Sequence, residues 1–453
     1  MFKAIQKIIN IKNSEKPLFL KLFYHSFFIG IANSFFLVET SKFFLSKVKV
    51  SEIPIAYIIS GILGIFLVKI FKKLQQKFGH FKSYQITIFI FLLSCLMIFL
   101  GQYSFQNPII INSIAFVGFA LIFAFLTLFN VGFSGICFSV FNFSQSKRLF
   151  GLLGISEVIA SIIGFLIIPF LMNFIGGANN LLLISILFSL ISIYPIHQIS
   201  NNQIAPILVN QNEKQEPKKF NLKLIINNPF VYYLSLSTIF SMATFYFVDF
   251  SYLISVRNFS ALYAFDTTTI VATIFCIIKA GELCFSLFTS NIISNIGMKK
   301  SGALLPNLLI IGALLCLISI LLFTSSPVFI IIFLFINKWI ERVIRKSITI
   351  PARKIMFQVN TPEDRIFLQN NIDGFMMQFS TVVAGIMLLV ITTIIDANNY
   401  TSFLQYISVF NLIIFSLFLF YTVKLYKTYN NQIHSFLENT YQIKNDTITK
   451  SIM

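Results

Sequence analysis

The segment SKRLFGLLGISEVIASIIG at 146–164 sets the frame for the whole chain. A basic pair, Lys147–Arg148, passes at once into a membrane-grade apolar run. Small residues recur in it at helical spacing (Ser156, Ala160, Gly164), and one acid, Glu157, is embedded. A charged side chain at the centre of a membrane helix costs roughly 3 kcal/mol on insertion scales. An acid kept there calls for a polar path or partner inside a bundle of several spans.

Working outward, the same apolar pattern recurs along all 453 residues, of which 57% are hydrophobic and only 11% charged; mean hydropathy is +0.83. That composition excludes a soluble domain. Runs long enough to cross a hydrocarbon core of about 30 Å predict twelve spans: 18–45, 53–71, 84–102, 109–141, 151–175, 180–197, 230–256, 266–294, 302–324, 328–348, 370–395 and 402–424. With both termini cytoplasmic, the outer loops and span ends carry only Lys42, Lys47, Lys49 and Arg257. Lys279, Lys338, Arg342 and Arg345 fall inside spans, and every other member of the 34 lysines and arginines lies on the side of the termini. This is the asymmetry of the positive-inside rule.

The net charge of +18 is therefore explained by topology and anionic headgroups, without a nucleic-acid partner. MFKAIQKIIN lacks the short apolar core and cleavage site of a secretory signal, so the first span is expected to be retained. The expected location is a bacterial inner (plasma) membrane. The five cysteines all lie in apolar spans with no CxxC pair, and the four histidines are scattered, so neither a metal nor a cofactor is expected.

One long polar stretch, 200–228 with EKQEPKK at 213–219, divides six spans from six. LVETS at 37–41 is echoed by FVDFS at 247–251, and KRLF at 147–150 by DRIF at 364–367. Lys47 and Arg257 keep the offset that separates Glu39 from Asp249. The echoes predict an all-α membrane protein of two parallel six-helix repeats, the major-facilitator-like arrangement, with a substrate site between the halves near the midplane. The expected division is an N-terminal half at 1–199, a cytoplasmic linker at 200–228, a C-terminal half at 229–425 and a cytoplasmic tail at 426–453.

Charges at membrane depth mark the candidate site. Lys279 and Glu282, three apart in span eight, share one helical face; they read either as a structural ion pair or as a cavity pair. In span ten the apolar run ends at Asn337. Crossing the membrane then places Lys338, Arg342 and Arg345 at i, i+4 and i+7, with Glu341 positioned to pair with Arg345. Such a basic stripe suits a wet, anion-attracting vestibule, and the planar guanidinium suits phosphate or carboxylate. An early helix exit with snorkelling side chains is the alternative. Glu39 and Lys42 lie one turn apart near the outer end of span one, with Asp249 as the counterpart of Glu39 in the second repeat. They read as a gate that makes and breaks ion pairs, or as residues solvated at the interface. Asp373, opening span eleven, suits the positive end of a helix.

These residues resemble the ATP/ADP translocase (nucleotide transporter) family of plastids and obligate intracellular bacteria, with its broader bacterial relatives. SKRLFGLLG at 146–154 is similar to the family's AKRFYPLFG turn, ETSKFFL at 39–45 to RDTKDVL, and FVDFSYLIS at 247–255 to LVEVTWKSK. RKSITIPARKIMF at 345–357 resembles KYSLFDPTKEMAY, and IDG at 372–374 falls on an IDV. The resemblance puts Lys42 on a functional lysine and Asp249 on an important acid, and matches Arg345, Ser347, Pro351 and Arg353. It departs where the family's span-eleven lysine corresponds to Thr381 and where the acids of two motifs correspond to Gln145–Ser146 and Ile350.

Together these readings predict an alternating-access carrier, not an enzyme, for a small anionic, phosphate-bearing metabolite. A nucleotide such as ATP or ADP is the leading candidate. Lys42, Lys279, Lys338, Arg342 and Arg345 would hold the anion, and Glu39, Glu157, Asp249, Glu282 and Asp373 would balance charge or gate. No GxxxxGK[ST] loop occurs, as an exchanger requires none. A flippase for a lipid-linked phosphate, a membrane-embedded enzyme and a non-transporting scaffold remain open, and the oligomeric state is not specified. The topology is directly testable. Alkaline phosphatase fused after Asn107 is expected to be active and after Lys77 inactive; the reverse pattern would invert the orientation.

Overall fold

The computed structural model describes residues 15–141, 143–201, 227–322, 327–357, 368, 370–395 and 400–452. Most of the 200–228 linker, with EKQEPKK, lies outside the described residues, as does DRIF at 364–367. All regular structure among the described residues is helical. Ten helices there are long and apolar enough to cross a membrane.

The two remaining expected spans have physical explanations. Helix Ile53–Ser104 runs 52 residues, which at 1.5 Å per residue would reach about 78 Å, far beyond one crossing. Gly79 interrupts it at φ 76° and ψ 177°, a backbone conformation that a glycine adopts without Cβ strain. The interruption separates spans two and three. Span ten, Pro327–Ile344, carries three charged residues, Lys338, Glu341 and Arg342, within its 18 residues, more than a simple apolar span holds. Span five starts earlier than expected: helix Phe143–Leu171 includes the Lys147–Arg148 pair in its opening turns. Span twelve belongs to helix Tyr400–Ile452, which continues through the expected tail.

The chain forms two compact units. Unit one comprises Met1–Glu216 with Leu253–Leu283, and unit two comprises Pro217–Tyr252 with Cys284–Met453. The end of span seven and the first half of span eight thus belong with the N-terminal helices. There Arg257 Nη1 donates to the Val48 carbonyl at 2.7 Å, and Phe165 stacks on Phe275 at 5.6 Å.

Unit one is organised around span one, Lys16–Lys47. A Cβ on Gly30 would lie 2.8 Å from the Glu157 carbonyl oxygen and 3.1 Å from Ala160 Cβ, and one on Gly164 would lie 3.0 Å from Ser34 Cβ. The small residues of span five therefore let two backbones approach closely. Hydroxyls tie the helices together at the same level. Ser156 donates to the Phe23 carbonyl (2.8 Å), Ser26 to Leu153 (3.1 Å) and Ser185 to Ala32 (2.9 Å). Membrane interhelical bonds of this kind average about 0.6 kcal/mol each. His25 is fully enclosed, with Nδ1 at 2.8 Å from the Ser192 carbonyl and Nε2 at 3.0 Å from the Tyr84 hydroxyl. The carbonyl can only accept, so Nδ1 carries the proton and Nε2 accepts from Tyr84.

Unit two has an apolar core that includes Phe230, Leu234, Met356, Ile372, Met376 and Tyr426. A smaller cluster joins Cys316, Ile320, Ile330, Leu334 and Leu404. Two π-helical segments, Arg345–Thr349 and Asn370–Met376, interrupt spans ten and eleven.

The span-one contact yields a controlled test. Gly30→Leu forces a side chain into the backbone of span five and is expected to destabilise the protein by about 1–3 kcal/mol, read as a lower thermal midpoint in detergent. Gly154→Ala, where nothing lies within 4 Å of the added carbon, should leave the midpoint unchanged.

Candidate functional site

Span seven, within helix Pro229–Tyr263, aligns Ser241, Phe245, Asp249 and Tyr252 at i, i+4, i+8 and i+11. All four are buried. Span ten sets Lys338, Glu341, Arg342 and Arg345 along one stripe, and in unit two the two stripes meet. Lys338 Nζ donates to Asp249 Oδ1, and Arg342 Nη2 reaches the same oxygen at 3.1 Å. Arg345 Nε donates to Glu341 Oε1, while its Nη2 donates to the Ser241 carbonyl at 2.7 Å and its Nη1 to Ser241 Oγ.

One ring serves all three cations. Arg342 Cζ lies 3.9 Å from the centroid of Phe245, Arg345 Cζ 5.5 Å and Lys338 Nζ 5.6 Å; Lys338 Nζ is also 5.0 Å from the Tyr252 centroid. An aromatic face attracts a cation through its quadrupole, by about 2 kcal/mol or more once water is excluded. Ion pairing and the rings together offset a desolvation cost of several kcal/mol per buried charge.

The three cations differ in what they can still do. Lys338 is 0% exposed and Arg345 7%, and each is held by the bonds above. The Arg342 side chain is 18% exposed. Its Nε stands 3.7 Å from Glu341 Oε2, beyond hydrogen-bond range, and has no hydrogen-bond partner among the described residues. Arg342 thus lies over the Phe245 ring, part-exposed and with an enclosed Nε left unbonded, and an incompletely bonded guanidinium can receive an oxyanion.

The backbone below the stripe follows from Pro351. It has no N–H to return to the Ser347 carbonyl one turn back, and its ring crowds that carbonyl. The helix widens there into the π segment Arg345–Thr349, and Thr289 Oγ1 on span eight donates to the Ser347 carbonyl at 2.6 Å. Arg353 Nη2, just beyond, bonds Asp373 Oδ1 at 2.9 Å, joining the end of span ten to the π segment that opens span eleven.

The other sequence-identified residues lie elsewhere. Lys279 and Glu282 form an ion pair at 2.8 Å in unit one. Glu39 accepts from Gln102 Nε2 at 3.2 Å, not from Lys42. Lys42 and Glu157 are part-exposed and make no ion pair among the described residues. Asp249, expected beside a gate, is placed against Lys338 and Arg342. Thr381, at the family's lysine position, donates to the Tyr246 hydroxyl at 3.1 Å. Phe245, Ser241 and Gln102 were not singled out from the sequence. The i+4 spacing that links Ser241, Phe245 and Asp249 is the signal that could have found the first two.

Comparison of the sequence with protein-family models and with curated proteins finds no match. Solved structures do align. Nucleoside transporter NupG aligns with a TM-score of 0.59 at 14% identity, over 89% of this chain and 98% of that one. A point mutant of the same transporter gives 0.60 at 15%, over 92% and 99%. A bacterial homologue of the iron transporter ferroportin, in an inward-facing state, gives 0.62 at 13%, over 92% and 100%. The fold is the major-facilitator-like arrangement that these structures share. Its twelve helices in two six-helix repeats agree with the echoes between Glu39 and Asp249 and between Lys47 and Arg257.

In this fold the central pair makes a sharp stability prediction. Asp249→Asn strands the buried Lys338 and takes a counter-ion from the part-exposed Arg342, and is expected to cost about 3–5 kcal/mol. Adding Lys338→Met should restore at least about 1 kcal/mol, since the two groups are directly coupled. A double-mutant cycle on thermal or denaturant unfolding reads the difference, and strict additivity would exclude the pairing.

Proposed function

We propose that this chain is an alternating-access carrier of a small anion bearing phosphate, with a nucleotide as its first candidate substrate. The observation that carries the reading is Arg342, lying over Phe245, bonded to Asp249 through one nitrogen, part-exposed, and with its Nε unbonded. Three cations and two acids are gathered in one buried cluster, and hydrocarbon tolerates such a cluster only when it is paired or lines a polar path. The transporter fold and the resemblance to nucleotide transporters support the same reading.

The chemistry follows from competition for Arg342. Asp249 is at once the counter-ion of Lys338 and Arg342. A phosphate offers oxygens in the geometry that suits the guanidinium fork, so it displaces the Asp249 contact from Arg342. Lys338 stays on Asp249 and keeps that carboxylate from being stranded. Arg345, locked to Glu341 and Ser241, contributes positive potential and fixes the lower end of the stripe. The substrate's arrival and departure thus exchange one anionic partner of Arg342 for another, and no bare charge is left in the membrane.

The direct test is uptake and counter-exchange of labelled ATP, ADP, other nucleotides, inorganic phosphate and lipid-linked phosphate by liposomes containing the purified chain. Saturable exchange of a nucleotide is expected. Arg342→Gln removes a charged hydrogen bond worth about 1.5–3 kcal/mol, a loss of about 10–100-fold in apparent affinity, with little change in folded yield. Arg342→Lys should rescue only partly, because the ammonium lacks the planar fork. Nucleotide exchange that is absent from folded protein, or unchanged in Arg342→Gln, would refute the reading. Movement of lipid-linked phosphate alone would replace it with a flippase.

A further inference from the structure

Glu39 stands apart from every other acid in the described structure. It lies on span one, two turns before the helix ends at Lys47, and is 0% exposed. Its carboxylate receives one hydrogen bond, from Gln102 Nε2 on span three, at 3.2 Å. Glu39 Oε2 and Gln102 Oε1 are both fully enclosed, and neither has a hydrogen-bond partner among the described residues. Thr40, the adjacent hydroxyl, is committed to the Phe36 carbonyl at 2.6 Å. The charged groups acting on the carboxyl are Lys42 on the same helix and Asp266 from the segment before span eight. Asp266 already caps that helix through the Thr269 N–H at 3.0 Å.

The two orphan oxygens belong to groups that fit each other. An ionised carboxylate only accepts hydrogen bonds, and a side-chain amide supplies one oxygen and two N–H groups. A protonated carboxyl and a primary amide are complementary at two points, amide N–H to acid oxygen and acid O–H to amide oxygen. The first of these bonds is in place. The second needs a proton on Glu39. Without it, two enclosed acceptors are left unsatisfied, and an unsatisfied buried acceptor costs about 1–3 kcal/mol.

We infer that Glu39 is a proton-binding site, with Gln102 as the residue that recognises its protonated form. A proton taken from the medium joins Oε2 and closes the acid–amide pair; its departure leaves a carboxylate that must turn to water or to Lys42. Proton binding therefore favours the arrangement of spans one and three seen here, and proton release favours one in which they part. Its consequence for uptake, coupling of transport to a proton gradient, rests on the carrier reading. The proton site itself does not.

Infrared difference spectroscopy separates the two. Full-length protein in liposomes, stepped between mildly acidic and mildly alkaline pH, should show a carboxylic-acid C=O band that changes with pH. The band should be missing in Glu39→Gln and shifted in frequency in Gln102→Leu, where the amide partner is lost. Glu39→Gln replaces the acid with a neutral isostere and is expected to keep the wild-type thermal midpoint. An identical band in wild type and Glu39→Gln would overturn the proposal, as would an unshifted band in Gln102→Leu. If Glu39→Gln does not fold, the Gln102→Leu shift decides alone. In the transport arm, a proton gradient should accelerate ATP uptake at least several-fold in wild type and not in Glu39→Gln. Absence of ATP uptake in both, with the infrared band intact, would count against the nucleotide substrate and leave the proton site standing.

Discussion

Charge desolvation governs the architecture of unit two. An isolated ion transferred into a low-dielectric interior loses several kcal/mol even after relaxation, and the loss is recovered only with close counter-ions and filled hydrogen bonds. Asp249 finds its counter-ions in Lys338 and Arg342, and Glu341 finds one in Arg345 through Oε1. The rest of the arrangement serves those contacts. Span seven must be enclosed to bring Asp249 to span ten, Phe245 must sit where three cations can share its face, and Ser241 must offer both its hydroxyl and its carbonyl to Arg345. Span ten is accordingly amphipathic, and its crossing is completed only through the π segment that Pro351 imposes.

Unit one solves a different problem. Its helices approach on Gly30, Ala160 and Gly164 and are tied by neutral bonds from serine hydroxyls and His25, so close packing takes the place of ion pairing. Lys279–Glu282 keeps its charges within a single helix. Glu39 is the exception: an enclosed acid with an amide for a partner, one oxygen of each group left without a hydrogen bond among the described residues. The two units thus contain two kinds of polar device, a multi-cation cluster in one and a carboxyl–amide pair in the other.

How much of this was legible depends on the physics that each feature uses. Apolar length, lysine and arginine bias and the echo of LVETS in FVDFS all act along the chain, so the twelve spans and the two repeats could be read directly. The Lys338–Arg342–Arg345 stripe and the Glu341–Arg345 pair were also legible, because helical spacing alone puts them on one face. The partner of Lys338 was not. Repeat symmetry drew attention to Asp249 as the counterpart of Glu39, while its contacts are set by how span seven packs on span ten. Phe245 was hidden among 56 phenylalanines, most of which pack or face lipid. Gln102 carries no charge and falls in no motif. Its significance lies in two oxygen atoms left without donors, a property of the folded chain only.

The most direct measurement is the rate at which phenylglyoxal modifies each arginine in the reconstituted protein, mapped by peptide mass spectrometry with and without saturating ATP or inorganic phosphate. Arg342 should react faster than Arg345, whose nitrogens are held by Glu341 and Ser241, and anion should slow the reaction at Arg342 several-fold while leaving arginines outside the cluster unchanged. Equal reactivity of the two, or a rate at Arg342 that neither anion alters, would show that the partly bonded guanidinium on Phe245 is not where the substrate's charge is received.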